Sequence, residues 1–156
     1  MSEPPSYVVK AVDWNGSRDT LRAVRWKVFV EEQHVPEELE WDEEDELSRH
    51  VLAVSVDGAP IGTGRLLRDG HIGRMAVLKN WRGQGVGSAL MQLLLRLAHE
   101  SKHEIVRLHA QTHAAGFYAR HGFVAEGDEF MEAGIPHVIM TRSTTSVPGD
   151  SRSVPR

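Results

Sequence analysis

Apolar residues at the start of the chain follow first the period of a strand and then that of a helix. A short strand is predicted over residues 7–12 (YVVKAV). Ser17, a residue type that favours helix N-caps, precedes a run with helical spacing. This run predicts a helix of about four turns that ends near Gln33, before Pro36. The residues that recur at helical spacing are Leu21, Val24, Arg25, Val28 and Phe29.

Two Asp-Gly pairs divide the middle of the chain into three predicted strands. Asp57-Gly58 and Asp69-Gly70 each stand between apolar runs. Both central residues of a type I′ turn need a positive φ, which makes Asp-Gly between apolar runs a strong hairpin signal. We therefore expect an antiparallel meander with strands over 49–56, 61–68 and 72–78.

Beyond residue 78 the pattern changes to alternating helices and strands. A glycine-rich loop leads into a helix that places Leu90, Leu93, Leu94 and Leu97 on one face. A strand over 104–110, a short helix over 114–121, a strand from Phe123 and a last strand over 137–141 follow. The pattern predicts a single α/β domain with a mixed sheet of six to seven strands flanked by helices. The sheet is antiparallel in its first half and has a βαβ crossover in its second.

The domain is expected to span residues 1–142 of the 156, a length that suits one domain with a real core. Residues 143–156 have no periodicity, two prolines and many serines, a composition typical of a disordered tail. The chain has no cysteine, which excludes a disulfide framework, a thiolate metal site and a cysteine nucleophile. We find no secretory signal and no apolar run long enough to span a bilayer, so a cytoplasmic location is expected.

The net charge of −4 conceals an uneven distribution. Residues 31–46 (EEQHVPEELEWDEEDE) hold ten of the 22 acidic residues and no lysine or arginine, so the rest of the chain carries +6. A basic body suggests an anionic ligand, and the acidic segment suggests a separate role. We expect Leu39 and Trp41 to attach this segment to the body.

The glycine-rich loop carries the clearest chemistry. Arg82-Gly83-Gln84-Gly85-Val86-Gly87-Ser88 lies between a strand and a helix, so its backbone N–H groups and the helix dipole can hold an anion, most often phosphate. A nucleotide P-loop is disfavoured because no lysine follows the glycines. A dinucleotide fingerprint is disfavoured because Ser88 replaces the third glycine. A connector without a ligand is the structural alternative.

The loop has the pattern Arg-x-x-Gly-x-Gly, which resembles the acetyl-coenzyme A pyrophosphate loop of the GCN5-related N-acetyltransferases, the GNAT family. Gln111 through Gly122-Phe123 is similar to a second motif of that family, although Gln111 stands where asparagine is commoner. Residues 25–36 resemble the ElaA/YjcF-type branch of the family, together with Glu40, Asp42, Asp45 and His50.

The resemblance implies direct attack of an amine on the thioester of acetyl-coenzyme A, without an acyl-enzyme and without a metal. It implies that Tyr118 is the general acid and that the strand before the loop binds pantetheine through its backbone. The expected cofactor-binding residues are Met75, Ala76, Val77, Arg82, Gly83, Gln84, Gly85, Val86, Gly87, Ser88, Gln111 and Tyr118.

The catalytic base is less defined by the sequence. Strand alternation puts Arg107, His109 and Gln111 on one face, so His109 is the leading candidate. A zinc site formed by His109 and His113 is disfavoured, because the junction of strand and helix separates them. The rival bases are Glu31, His50, Glu129 and Glu132. The acceptor-site candidates are Glu31, Glu32, His50 and Glu129.

In the family, the segment after the first helix borders the acceptor site, so the acidic segment here predicts a wall that selects a cationic amine. A solvated loop is the alternative. A small or peptidyl amine is the expected partner, and the oligomeric state stays open, with a homodimer among the alternatives. A non-catalytic acyl-coenzyme A module whose acidic segment recruits a protein is the competing function. A nucleic-acid binder is disfavoured, because the acidic segment would repel phosphate.

Overall fold

The computed structural model describes residues 6–145 and contains one seven-stranded sheet with the order β1-β2-β3-β4-β5-β7-β6. The pair β4–β5 is parallel and the other neighbouring pairs are antiparallel. The predicted mixed α/β sheet, with its antiparallel first half and its crossover, is therefore confirmed. The strands are β1 (Tyr7–Val12), β2 (Arg49–Ser55), β3 (Pro60–Leu66), β4 (His71–Val77), β5 (Ile105–Gln111), β6 (Val124–Glu132) and β7 (Ile135–Ser143).

Four α-helices connect or cover the strands: α1 (Trp14–Arg25), α2 (Glu37–Glu40), α3 (Val86–Glu100) and α4 (Ala115–Arg120). Helix α1 begins three residues before the predicted cap Ser17, because Trp14 is buried against Leu21 and Leu52 and draws the first turn onto the sheet. It continues as a π-helical turn over Trp26–Glu32, whose wider hydrogen bonding includes Gln33 N–H to the Val28 carbonyl at 3.0 Å. Such turns are rare in proteins, and those that occur are often found at functional sites.

The two faces of the sheet are covered by different helices. Helix α3 buries Leu90, Met91 and Leu94 against one face, where the main core lies. Helix α1 and its π-helical turn cover part of the other face, with Val24 and Val28 packed on Ala76 of β4. The sheet therefore has one apolar face under α3 and one mixed face under α1.

The acidic segment is attached to the second face by ion pairs. The Arg25 guanidinium of α1 lies 2.8 Å from Glu40 and 2.9 Å from Asp45, and all three side chains are buried. Arg65 of β3 also contacts Asp45, at 2.9 Å. The segment therefore forms α2 and a 3₁₀ turn (Glu43–Leu47) over this face. We call the group the arginine cluster; it comprises Arg25, Glu40, Asp42, Asp45, Arg65 and Arg74.

The expected apolar attachment of the segment is only partly correct. Leu39 is 56% exposed, whereas the adjacent Glu40 is buried against Arg25. Trp41 does contribute, because the guanidinium carbons of Arg22 and Arg25 lie 4.9 and 5.2 Å from its ring centroid.

The end of the domain extends slightly beyond the predicted limit at residue 142. Strand β7 runs to Ser143, and buried Thr144 donates its N–H to the Glu104 carbonyl at 3.0 Å. The remainder of the predicted disordered tail, 146–156, lies outside the described residues. Within 6–145 no helix is long and apolar enough to cross a membrane.

Replacing Asp45 with asparagine tests the arginine cluster. The change leaves two buried guanidinium groups without their shared anion, so we expect the free energy of unfolding to fall by about 3–5 kcal/mol. Urea denaturation measures it, with Glu43→Gln, an exposed acid of the same turn, as a control that changes stability by less than about 0.5 kcal/mol.

The same comparison has a pH signature. Burial alone would raise the pKa of Asp45, but the hydrogen bonds and charges of Arg25 and Arg65 outweigh burial and lower it. A carboxyl whose pKa is lowered on folding stabilises the protein above its unfolded-state pKa. The difference between wild type and Asp45→Asn should therefore be complete above about pH 4 and shrink below it. Equal losses in the free energy of unfolding for Asp45→Asn and Glu43→Gln would contradict this account.

Candidate active site

Strands β4 and β5 separate soon after they meet. They pair only at His71 with Arg107 and Ile72 with Leu108. Pairing between β4 and β3 continues to Val77, so the β5-facing edge of residues 73–77 has no strand beside it. The resulting opening, between residues 73–77 of β4 and 109–111 of β5, is called the β4–β5 slot below.

A β-bulge in β4 lies where the slot begins. Against β3, the step from Arg65 to Thr63 matches the longer step from Gly73 to Ala76, so β4 holds one extra residue. Within the bulge Arg74 has a φ of 52°, which costs about 1–2 kcal/mol for a residue with a side chain. A bulge bends its strand and increases the local twist, which accounts for the divergence of β4 from β5.

Contacts on both sides of Arg74 hold the bulge. The Thr63 hydroxyl donates to the Arg74 carbonyl at 2.8 Å. The Arg74 guanidinium lies 3.2 Å from Glu40 and 3.0 Å from Asp42. The arginine cluster therefore fastens the acidic segment to the residue that opens the slot.

The glycine-rich loop follows β4 and has the predicted geometry for an anion site. Gly83 and Gly85 have φ values of 77° and 87°, and α3 starts directly after Gly85. The first backbone bond of α3 runs from the Ala89 N–H to the Gly85 carbonyl, at 3.0 Å. The N–H groups of residues 86–88 consequently have no acceptor within the helix. These amides and the helix dipole fit a phosphate group.

Side chains that the sequence did not single out support the loop. The Tyr7 hydroxyl donates to the Gln84 carbonyl at 3.2 Å, and a ring nitrogen of His121 lies 3.0 Å from the Ser88 hydroxyl. Gln84 itself donates to the Asn80 carbonyl at 3.1 Å. A Cβ at Gly87 would lie 3.4 Å from the Phe117 ring, so this glycine permits close packing of α4 on α3. These contacts hold the glycine-rich loop in the conformation described above.

Arg82 forms its contacts within the protein. Its guanidinium forms a two-pronged ion pair with Glu32, at 2.5 and 2.7 Å, and its Nε donates to the Val77 carbonyl at 2.9 Å. The hydrogen bond between them raises the pKa of Arg82 and lowers the pKa of Glu32. The predicted pyrophosphate charge and one predicted acceptor-site acid therefore neutralise each other and tie the π-helical turn to the loop.

Ion pairs of the same kind reduce the predicted charge difference between body and segment. Half of the segment's ten acids pair with arginines from the rest of the chain, which cancels most of the body's surplus. The arginines are Arg25, Arg65, Arg68, Arg74 and Arg82.

Tyr118 lies on α4, on the α3 side of the sheet. Its ring packs edge-on against Phe117 and Phe123, with centroids 5.1 and 6.1 Å away. Burial raises the pKa of Tyr118 to about 12. The hydroxyl is therefore protonated at neutral pH.

His109 and Gln111 project from the other face of β5, because Val106, Leu108 and Ala110 alternate into the α3 core. His109 directly follows the last paired residue, at the start of the slot. Its Nδ1 lies 2.8 Å from the Glu132 carboxylate. Gln111 donates to the Gln33 side chain at 2.8 Å, which joins the end of β5 to the end of the π-helical turn.

His50 is not part of this arrangement. It lies on β2, two strands from the slot, and is 2% exposed. A ring nitrogen is 2.8 Å from the Asp45 carbonyl, and the ring stacks on Trp14 at 4.9 Å. Burial lowers its pKa, so the neutral ring is favoured. The expectation that His50 serves as a base or contacts the acceptor is therefore corrected.

The remaining acceptor-site candidates are exposed. Glu31 accepts a hydrogen bond from the Trp26 indole at 2.8 Å, close in sequence to Gln33 at the slot. Glu129 lies on β6. In the described part of the chain, no group of three or more metal-binding side chains is assembled.

A strand splay that leads into an amide-lined loop defines a site for an elongated acyl carrier with a phosphate group. Residues 13–144 match the model of the acetyltransferase (GNAT) domain. The uncharacterised N-acetyltransferase YjcF of Bacillus subtilis is 43% identical over 124 residues, which cover 76% of this chain and 87% of YjcF. The chain thus belongs to the GNAT family, and it is an acyl-coenzyme A-dependent N-acetyltransferase.

Solved structures agree with this assignment. An acyl-CoA N-acyltransferase from Pseudomonas aeruginosa superposes with a TM-score of 0.79 at 32% identity, covering 88% of this chain and 100% of that one. Escherichia coli ElaA superposes with a TM-score of 0.78 at 29% identity, covering 87% and 99%. The resemblance to the GNAT family, drawn from three sequence motifs, is confirmed.

Replacing Gly85 with alanine tests the loop. An L-residue is strained at this φ, and the new Cβ would lie 3.2 Å from the Tyr7 hydroxyl, so the loop must shift. We expect coenzyme A affinity to fall about tenfold in calorimetry. Gly58→Ala is the matched control, because Gly58 has a φ of 90° with open space around it in a distant turn. Equal coenzyme A affinities for both variants would contradict the assignment of the loop.

Proposed function

We propose that the protein transfers acetyl from acetyl-coenzyme A directly to the primary amine of a small cationic acceptor. The observation that carries the proposal is the β4–β5 slot, which has the amide-lined loop at one end. Tyr118 lies on one face of the sheet and His109 on the other. Cofactor and acceptor can therefore approach the slot from opposite faces.

On the cofactor side, the unpaired edge of β4 is suited to pantetheine. Its amides can pair with the backbone of Met75, Ala76 and Val77 as a neighbouring strand would. The N–H groups from Gln84 to Ser88 would hold the pyrophosphate. Gln111 projects from the same face of β5 as His109, so it would contact the cofactor only at the slot. The loop works through amides, because Arg82 is committed to Glu32.

The reaction needs one proton acceptor and one proton donor. His109 takes a proton from the acceptor ammonium and passes it to water, which frees the amine lone pair. The amine nitrogen attacks the thioester carbonyl carbon, so that a C–N bond forms and the C–S bond breaks. The thiolate takes the Tyr118 hydroxyl proton, and the second proton of the nitrogen returns through water to Tyr118. The products are an N-acetyl amine and the thiol of coenzyme A.

Exposed carboxylates support a cationic acceptor. Glu31 and Glu37 each accept a hydrogen bond from a tryptophan indole, at 2.8 and 3.3 Å, and leave their charge at the surface. Glu40, in contrast, is buried with Arg25 and belongs to the fold. Glu31 and Glu37 belong to the first half of the segment, and we assign the selection of the amine to these acids.

The two tyrosines offer a matched test of catalysis. Tyr118→Phe removes the proton donor and should lower kcat by about 10²–10⁴-fold with coenzyme A affinity unchanged. Tyr7→Phe removes the hydrogen bond to Gln84 and should instead weaken coenzyme A binding. The assay is thiol release from acetyl-coenzyme A with a panel of amines. Coenzyme A binding by the wild type without thiol release from any amine would favour the non-catalytic module.

The charge of the first half of the segment is tested by the double variant Glu31→Gln, Glu37→Gln. A glutamine oxygen can still accept both indole bonds, so the change removes charge and keeps the contacts. We expect KM for a dicationic amine to rise about fivefold and KM for a monocationic amine to change less. Glu43→Gln, Glu46→Gln is the control, since these acids lie in the 3₁₀ turn. An unchanged KM for both amines would refute charge selection.

A further inference from the structure

Residues of the β6–β7 hairpin contact the side chain of His109. The Glu132 carboxylate lies 2.8 Å from its Nδ1. The Phe130 ring stands edge-on to the imidazole at 5.3 Å, and the His71 ring does so from β4 at 6.0 Å. The imidazole thus contacts groups from two strands, β6 and β4.

The hydrogen bond fixes which nitrogen of His109 is basic. A carboxylate accepts hydrogen bonds and donates none, so Nδ1 carries the proton of the neutral ring. The lone pair is then on Nε2, the nitrogen that Glu132 does not engage. A neutral imidazole left in water has no such constraint.

His109 lies at the start of the β4–β5 slot. It is the first residue of β5 beyond the paired region, and Gly73 is the corresponding first residue of β4. A side chain at Gly73 would meet no atom within 4 Å, so the start of the slot is open on the β4 side. An amine that enters this opening meets the imidazole.

We propose that Glu132 is a positioning residue for acetyl transfer, an inference that rests on the proposed role of His109 as the base. Glu132 holds the Nδ1 proton and leaves Nε2 free to take the proton of the acceptor ammonium. The imidazolium that forms is stabilised by the adjacent carboxylate until water removes the proton. In this proposal Glu132 touches neither substrate and acts through His109 alone.

Other charged groups around the imidazole also act on it. His71 is paired with Asp69 at 2.9 Å, and His137 lies 3.9 Å from Glu132. Strand alternation and register place Arg107 and Glu126 on the same face. Glu132 differs from all of them because it alone among the described residues is hydrogen-bonded to the His109 ring. The variants that test Glu132 therefore leave the other neighbours of the ring unchanged: Asp69, His71, Arg107, Glu126 and His137.

Glu132→Gln removes the charge and keeps an oxygen that can accept from Nδ1. We expect kcat to fall about tenfold, because the imidazolium loses a charged hydrogen-bond partner. The midpoint of the acid limb of kcat should move to lower pH by roughly half a unit. The KM for acetyl-coenzyme A should stay unchanged. Asp128→Asn, an exposed acid on the same strand, is the matched control and should behave as the wild type.

A double variant separates positioning from general damage to the hairpin. If Glu132 acts through His109, Glu132→Gln should have no further effect on kcat once His109→Gln is present. Additive losses would overturn the proposal. A Glu132→Gln enzyme that matches Asp128→Asn in kcat and in its pH profile would overturn it as well.

A measurement without turnover completes the test. Nitrogen-15 chemical shifts of the His109 ring report which nitrogen is protonated, and we expect Nδ1–H in the wild type and a shift toward Nε2–H in Glu132→Ala. The same tautomer mixture in both proteins would overturn the proposal. A wild type that releases no thiol with any amine would instead refute the proposed function, and the tautomer result would still stand on its own.

Discussion

The bulge at Arg74 is the constraint on which the site depends. It lies between the last paired residues of β4 and β5 and the open edge of β4. A positive φ at an arginine is unfavourable, so other contacts must hold it. The Thr63 hydroxyl and the acids of the arginine cluster supply them. The ion pairs that attach the acidic segment to the sheet thereby also keep the slot open.

This arrangement changes the meaning of the charge pattern. An acidic segment on a basic body suggests two separate ligands. In the structure, however, many acids of the segment form ion pairs with arginines of the body. For the proposed coenzyme site there remain the backbone amides at the start of α3, which carry no formal charge. For the proposed cationic acceptor there remain the exposed carboxylates near the π-helical turn. Charge counted along a sequence overstates the field that a ligand meets, because folding pairs the charges first.

The sequence predicted those features that depend on local rules. The Asp-Gly turns located β2, β3 and β4, and the alternating glycines located the loop before α3, because positive φ has a strong residue preference. The arginine cluster depends on residues far apart in the chain and was not predicted. One signal existed: Arg25 shares the spacing of apolar residues in α1, and a buried arginine requires acidic partners. The bulge at Arg74 left no signal, since arginine is not a residue that marks positive φ.

Strand β5 explains how one small domain can keep a cofactor and an acceptor apart. Its even-numbered residues from Val106 to Ala110 face α3, and its odd-numbered residues to Gln111 face the π-helical turn and the β6–β7 hairpin. Tyr118 on α4 and His109 on β5, the proposed proton donor and acceptor, therefore lie on opposite faces of the sheet. Pairing with β4 ends one residue before His109, so the β4–β5 slot begins at the proposed base. The bulge that opens the sheet therefore also determines where the proposed reaction would take place.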